Sequence, residues 1–308
     1  MRLPNEGRLY STKRFKGTDE EVNEQWLLFR KEGIGGSEVA GIMGISKWQT
    51  PISIWLEKTN RAEPSDISSS PYVDWGNRLE QPIREKFRDE HPGWKVIAPN
   101  VTLVSKDRPW AHASLDGLVR DPDRGWGILE IKTARSRDGW WDGEEESVPT
   151  YYLTQAVHYM SVTGLRYARF AVLIAGSEYI ERLVEWDDED VALVVEAVDS
   201  FWNDNVVCDV MPDIVTSSPS DSKAMHRMYV HSDEDMDIEH EEEAERLMAE
   251  FMEAAEQEKA AKERKAIAST SLKRLIGGHK GIVGSEHVAT WPRSEKRDSG
   301  IRVKRKVA

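Results

Sequence analysis

The sequence predicts a mixed α/β (α+β) fold: a central mixed β-sheet flanked by helices, followed by a C-terminal helical extension. Three observations carry that expectation. Apolar residues recur at helical spacing through the first ninety residues. Between about 94 and 132 the period shortens, and brief β-rich segments alternate with Asp, Pro and Gly. Beyond Met211 a Pro- and Ser-rich stretch gives way to a run dominated by Glu, Ala and Lys.

Thr18 and Glu21 have capping-box spacing, and Val22, Trp26 and Phe29 share a helical face, which predicts a helix over 19–31. Gly33, Gly35 and Gly36 break it. Ser37 is the expected cap of a short second helix reaching Met43, which Gly44 ends. Thr50-Pro51 is an N-cap followed by a proline at the first helical position, opening a third helix that fades at Asn60. Residues 61–71 read as a loop. A fourth helix is expected over 74–90, with Leu79, Ile83 and Phe87 at four-residue spacing, and His91-Pro92-Gly93 terminates it.

Strands are then expected near 94–98, 101–105, 112–113, 116–120 and 127–132, forming one curled mixed sheet. Helical spacing returns over 150–164. Residues 169–175 and 179–186 read as a hairpin turning at Gly176-Ser177, and 187–205 as an amphipathic helix whose acidic first turn suits the helix dipole. The division expected is a core over 1–210, a linker over 211–238, and a charged helix with a small basic β element over 239–308. The chain then ends on the basic string Arg302–Lys306.

Composition narrows the function classes. The 308 residues suffice for a large buried core, and with 39% hydrophobic against 31% charged residues no apolar run approaches a membrane span. The first fifteen residues lack the apolar stretch of a secretory signal. One cysteine, Cys208, excludes an internal disulfide framework, a cysteine-rich zinc site and a four-cysteine iron–sulfur cluster, so a reducing, cytoplasmic setting is expected. The net charge of -13 argues at first against a partner as negative as DNA. It is blocked along the chain, however. Residues 1–230 hold 27 Lys and Arg against 38 Asp and Glu, residues 231–258 hold 1 against 13, and residues 259–308 hold 14 against 4. DNA contact, if present, should be confined to a local cationic channel.

The densest chemical signal is Ala113-Ser114-Leu115-Asp116-Gly117 followed by Leu129-Glu130-Ile131-Lys132. Residues i and i+2 of a strand face the same way, so Glu130 and Lys132 can converge with Asp116 at the end of a neighbouring strand. Two carboxylates and the Ile131 carbonyl are hard oxygen ligands of the kind Mg²⁺ or Mn²⁺ takes. Lys132 can then neutralise developing charge or hold the attacking water. Without context the same residues read as a surface cross-strand pair and an ordinary turn. The apolar string Trp126–Ile131 weighs against that, because charges emerging from a buried strand need a reason.

In this order the blocks Gly33-Ile34-Gly35-Gly36-Ser37-Glu38-Val39-Ala40, Trp75-Gly76-Asn77-Arg78-Leu79-Glu80, Ser-x-Asp-Gly, Glu-x-Lys and Gln155 to Gly164 resemble the YqaJ and lambda exonuclease group of the PD-(D/E)xK nucleases, over about residues 24–205. The resemblance implies a restriction-endonuclease-like core. It implies that Asp116 and Glu130 bind divalent metal, that Lys132 activates or orients the water, and that Glu80 supports metal or water binding. Arg30, seven residues before Ser37, and Ser114 match a pocket for a terminal 5′-phosphate, while Gln155 matches the glutamine of the helix after the active strand. Val157 stands where a second glutamine is usual, and Leu115 replaces the signature proline. His158 reads as a packed or positioning residue and His112 as an ordinary strand residue.

The expected activity is Mg²⁺-dependent 5′-to-3′ digestion of one strand of linear duplex DNA, leaving a 3′ overhang for phage-type recombination. Expected partners are double-stranded DNA ends, a single-strand annealing protein and further copies in a ring-shaped trimer, in the host-cell cytoplasm if the gene is phage-borne. The rivals are a related nuclease of other polarity, an endonuclease, or an end-binding adaptor that does not cleave. Trp140, Trp141, Arg135 and Arg137 could stack on or pair with DNA, or simply pack.

Overall fold

The first strand, β1 (Tyr10–Lys13), has no counterpart among the predicted elements, since four residues without alternation carry little periodic signal. In this computed structural model the residues described are 2–62, 70–214, 218–229, 234–235, 242–292 and 300–306. They fall into two compact units, Met1–His231 and Ser232–Ala308.

Helix α1 (Asp19–Arg30) opens on the expected box, with Glu21 N–H donating to Thr18 Oγ1 at 3.3 Å and Thr18 N–H to Glu21 Oε2 at 2.7 Å. Helix α2 (Gly36–Ile42) corrects the expected cap: Gly35 is the N-cap residue and Ser37 lies in the first turn. The reason is Glu38, whose Oε2 reaches back to accept the Gly35 N–H at 2.8 Å. Helix α3 (Pro51–Lys58) begins at Thr50-Pro51 as predicted, and the left-handed Asn60 (φ 56°) follows its end. Helix α4 (Pro71–Glu90) starts three residues before the predicted Asp74, because Pro71 takes the first helical position.

Strands β2 (Lys95–Ile97), β3 (Thr102–Ser105), β4 (His112–Ser114), β5 (Gly117–Asp121) and β6 (Gly125–Ala134) follow. They do not make one sheet. β3 and β4 join β1 in a separate antiparallel sheet of order β1-β3-β4. After the small hairpin of β7 (Trp141–Asp142) and β8 (Glu145–Glu146), helix α5 (Thr150–Thr163) crosses back to β9 (Tyr167–Ile174) and β10 (Glu178–Glu185). The central sheet has the order β10-β9-β6-β5-β2, mixed because β6 and β9 run parallel while the other pairs are antiparallel. The β9–β10 turn is left-handed at both Ala175 (φ 49°) and Gly176 (φ 76°), matching the twist of the strands it joins.

Both faces of the central sheet are covered, which is why β6 reads as a continuous apolar run. Ile128, Phe170 and Val172 pack with Met160 of α5 and with Val194 and Val198 of α6 (Asp188–Ser200). On the other face Leu129, Ile131 and Ala171 pack on Ile83 and Phe87 of α4. Beyond α6 the helix loosens into a π turn over Phe201–Val207. The stretch read as a linker contains a helix, α7 (Pro219–Met228), whose Ala224 is buried in the core. Residues 215–217, 230–233 and 236–238 of that stretch lie outside the described residues.

In the second unit the expected charged helix is α8 (Glu242–Ile276), which stops at Gly277 (φ 52°). The predicted start at 239 lies outside the described residues. Strands β11 (Gly281–Val283), β12 (His287–Thr290) and β13 (Arg302–Arg305) form an antiparallel sheet, so most of the basic string is a strand. Ile276 and Ala289 are buried, and Lys273 Nζ lies 5.3 Å from the Trp291 ring centre. No helix among the described residues is long and apolar enough to cross a membrane.

Candidate active site

β6 delivers the chemistry by alternation. Leu129 and Ile131 pack toward α4, so Glu130 and Lys132 share the opposite face. Lys132 Nζ lies 2.8 Å from Glu130 Oε2 and 3.7 Å from Asp116 Oδ2. Asp116 sits one residue before β5, just beyond the last β5–β6 pair, Gly117 with Leu129. There its Oδ2 accepts the Ile131 N–H at 2.7 Å. A strand residue's N–H and C=O leave along the same edge, so the Ile131 carbonyl faces the edge that Asp116 occupies.

Glu130 is fully buried, and its Oε1 has no hydrogen-bond partner. Burial, reinforced by the Asp116 charge and opposed by Lys132, pushes its carboxyl up to about 8. For Lys132 burial acts to lower the ammonium, but Glu130 and Asp116 outweigh it and hold the group above its ordinary range. Glu80 of α4 belongs to the same electrostatic cluster: burial and the Asp116 charge raise it, against the pull of Arg84. It is ion-paired with Arg84, whose guanidinium also donates to the Asp116 carbonyl at 2.9 Å. Arg84 is thus the strut between α4 and the β5–β6 edge.

Among the described residues no three His, Cys, Asp or Glu groups are gathered as a ready coordination shell. The chemistry of the donors nonetheless fits a hard divalent cation. A buried carboxylate oxygen without a partner and a second carboxylate on the same edge are what Mg²⁺ or Mn²⁺ binds.

Helix α5 forms a wall beside this cluster. Tyr152 places its ring 5.2 Å from Lys132 Nζ. Gln155 donates to the Tyr159 hydroxyl at 3.1 Å, and that phenol is pushed up by burial and then by the Glu130 charge. A Cβ on Gly36 would meet the Tyr159 ring at 2.4 Å and Gln155 Cγ at 3.0 Å, so α2 and α5 meet here without room for a side chain. Gly36→Ala is expected to destabilise the protein by roughly 1–3 kcal/mol in a denaturant titration, as overpacking does.

Arg30 and Ser37 do come together, with the guanidinium 3.5 Å from Ser37 Oγ. What holds the arginine is Glu38, a buried carboxylate 3.1 Å from Arg30 Nη2 and 2.8 Å from the buried Lys58 Nζ. Lys58 also donates to the Arg30 carbonyl at 2.6 Å. Burial opposes ionisation of Glu38, but Lys58 and Arg30 outweigh it and hold the carboxyl below its ordinary range. Two cations on one carboxylate leave one positive charge unmatched, and Arg30 is the member that reaches solvent, with 28% of its side chain exposed. Ser114 is exposed at the end of β4 and shares a hydrogen bond with Thr102 at 3.1 Å. The Ile34 segment is bonded to the start of that strand, its N–H donating to the Trp110 carbonyl just before it and its carbonyl accepting the His112 N–H.

His158 and His112 are packing residues. His158 Nε2 is 3.0 Å from the His112 carbonyl, and His112 stacks on Phe29 at 4.6 Å. Burial lowers each imidazole to about 4. A folded value below the unfolded one means stability present above about 6.5 and lost as pH falls through about 4. His158→Gln is expected to flatten that acid loss by on the order of 3 kcal/mol, measured by urea melts at pH 7 and pH 4.

Trp140 is buried in the core, while the Trp141 ring has Arg137 at 4.9 Å and Arg182 at 4.4 Å from its centre. Arg137 pairs with Glu178, and Arg135 lies over Tyr72 at 4.4 Å. Glu38, Lys58, Arg84, Tyr152 and Tyr159 escape the sequence reading. Their signals were only the Glu80–Arg84 spacing of four and the 152, 155, 159 spacing on one helix.

Residues 25–166 match the model of the YqaJ-like viral recombinase domain. The YqaJ protein of Bacillus subtilis (strain 168) is 33% identical over 204 residues, 66% of this chain and 62% of that protein, so the chain spans less than two thirds of that relative. An alkaline exonuclease from Laribacter hongkongensis, LHK-Exo, is similar at 19% identity over 61% of this chain and 94% of its own, with a TM-score of 0.46. Its complex with dAMP is similar at 20% identity, with the same coverage and TM-score. Together with the ordered sequence blocks, this makes residues 25–166 of the chain similar to the YqaJ-like viral recombinase domain.

Proposed function

We propose that this protein is a metal-dependent deoxyribonuclease that digests one strand of linear duplex DNA from a 5′-phosphorylated end and leaves a 3′ overhang for recombination. The observation that carries the reading is Glu130, a fully buried carboxylate with a partnerless oxygen, set beside Asp116 and Lys132. Such a group costs stability unless its charge is compensated, and a bound cation beside Asp116 would supply that compensation.

Asp116, Glu130 and the Ile131 carbonyl would hold Mg²⁺, with Mn²⁺ as a substitute. When bound, the ion supplies activation of water and charge neutralisation at the scissile phosphate. Lys132 orients the attacking water and balances charge on the phosphoryl oxygens. Glu80, through Arg84, keeps α4 registered against the Asp116 backbone. Arg30, Ser37 and Ser114 receive the terminal phosphate, with Glu38 and Lys58 fixing the arginine, and Gln155 lines the path between them. The single-stranded product suits a single-strand annealing protein, and closure of copies into a ring would keep the enzyme on its substrate.

The test is a duplex labelled separately at each end and incubated with Mg²⁺. Loss of the 5′-phosphorylated strand with survival of its complement is expected, with no cleavage in EDTA. Cutting of closed circles would mean an endonuclease instead, and binding without cleavage an adaptor.

A further inference from the structure

A line of aromatic rings leads from Lys132 to the surface. Tyr152 lies 5.2 Å from the lysine nitrogen, Tyr151 is 4.5 Å from Tyr152, and Trp48 is 5.2 Å from Tyr151. The outermost member is anomalous. Trp48 is 63% exposed, although tryptophan is the side chain with most to gain from burial.

Nor does Trp48 lie on a loose loop. Ser46 Oγ accepts the N–H groups of Trp48 and Gln49 at 3.1 and 3.2 Å, and Thr50 then caps α3. The indole stands at 89° to the Tyr151 ring, so the two are not stacked, and its 63% exposure leaves most of the indole surface open. Lys47 is exposed beside it, its Nζ 5.8 Å from the Tyr151 ring centre. A fixed, open aromatic face with an adjacent cation is what binds an unpaired nucleobase and its phosphate.

We propose that Trp48, backed by Tyr151 and flanked by Lys47, is a stacking platform for an unpaired base of the DNA strand that leads to Lys132. This rests on the nuclease reading above and adds a residue set to it. The platform binds bases without sequence preference, because every base presents a π face, and it favours ends whose terminal pairs have opened.

The probe is a 20-base-pair duplex carrying a 5′-phosphorylated three-nucleotide unpaired end, compared with the same duplex fully paired. Binding is read by fluorescence anisotropy with the full chain in EDTA, so that no turnover occurs. Trp48→Ala is expected to weaken binding of the frayed probe by about ten-fold, the scale of one lost stack, and that of the paired probe much less. Trp48→Phe should restore most of the difference. Equal binding of the frayed probe by wild type and Trp48→Ala, or an equal loss on both probes, overturns the platform. Cleavage by Trp48→Ala under Mg²⁺ at the wild-type rate in that case leaves the nuclease reading standing. A wild-type protein that binds neither probe overturns both.

Discussion

Lys132→Met is expected to reduce cleavage of 5′-phosphorylated duplex by on the order of 10³-fold, the cost typical of removing a group that moves a proton or stabilises charge in the transition state. Lys132 is the ammonium within 4 Å of both Glu130 and Asp116, at 2.8 and 3.7 Å, and the methionine keeps its apolar stem packed beside Tyr152. Removing the charge leaves Glu130 with a still greater preference for its neutral form, since burial is no longer opposed. The variant should therefore remain folded by circular dichroism while losing single-turnover cleavage. A variant that cleaves within ten-fold of wild type would show that another group serves the water.

Glu130→Gln is expected to give opposite signs in two measurements. Cleavage should fall to background, because an amide is a poor substitute for an anionic ligand of a hard cation. The metal-free protein, by contrast, should become more stable at pH 8. Glu130 titrates at about 8 in the folded chain against an ordinary 4.5, so the folded state binds the proton more tightly. Stability is then full below about 4.5 and is lost as pH rises through about 8. Glutamine imitates the protonated side chain, still facing Lys132 and Asp116, and removes that loss. The gain should be on the order of a few kcal/mol at pH 8 and absent at pH 5, read from urea melts in EDTA. A variant less stable than wild type at pH 8 would mean that the carboxylate is needed to hold the fold. Added Mg²⁺ should stabilise wild type and leave Glu130→Gln unmoved, because only a site that binds the ion in the folded state shifts the equilibrium.

The same residues explain what could be read along the chain. Caps and breakers act within four residues, so Thr18 with Glu21, Thr50 with Pro51, and Gly44 mark helix ends in the sequence as they do in the fold. The Ser37 cap failed for an equally local reason. Glu38 reaches back to the Gly35 N–H, so Gly35 caps the helix and Ser37 falls inside it. The partition of strands was not legible. β3 and β4 are short, largely buried segments like their neighbour β5, and only the partner each edge finds, β1 in this case, assigns them to a second sheet.

The candidate string was visible because strand alternation is a local rule: Glu130 and Lys132 must share a face, and a charge pair in an apolar run stands out. What alternation could not supply was the third dimension of the site. Arg84 reaches the Asp116 carbonyl across 32 positions, and Lys58 meets Glu38 across 20. Tyr152 finds Lys132 only because α5 crosses back over β6 to make β9 parallel to it.

By itself, then, the sequence determined most of the helices, the mixed sheet, the family likeness over residues 25–166 and the candidate charged string Asp116, Glu130 and Lys132. The tertiary structure alone decided their electrostatic state. Whether Glu130 is an ordinary surface carboxylate or a buried one with an oxygen left without a partner is set by how completely the packing around β6 excludes water from it, and solvent exclusion is a property of packing that no short window of residues encodes.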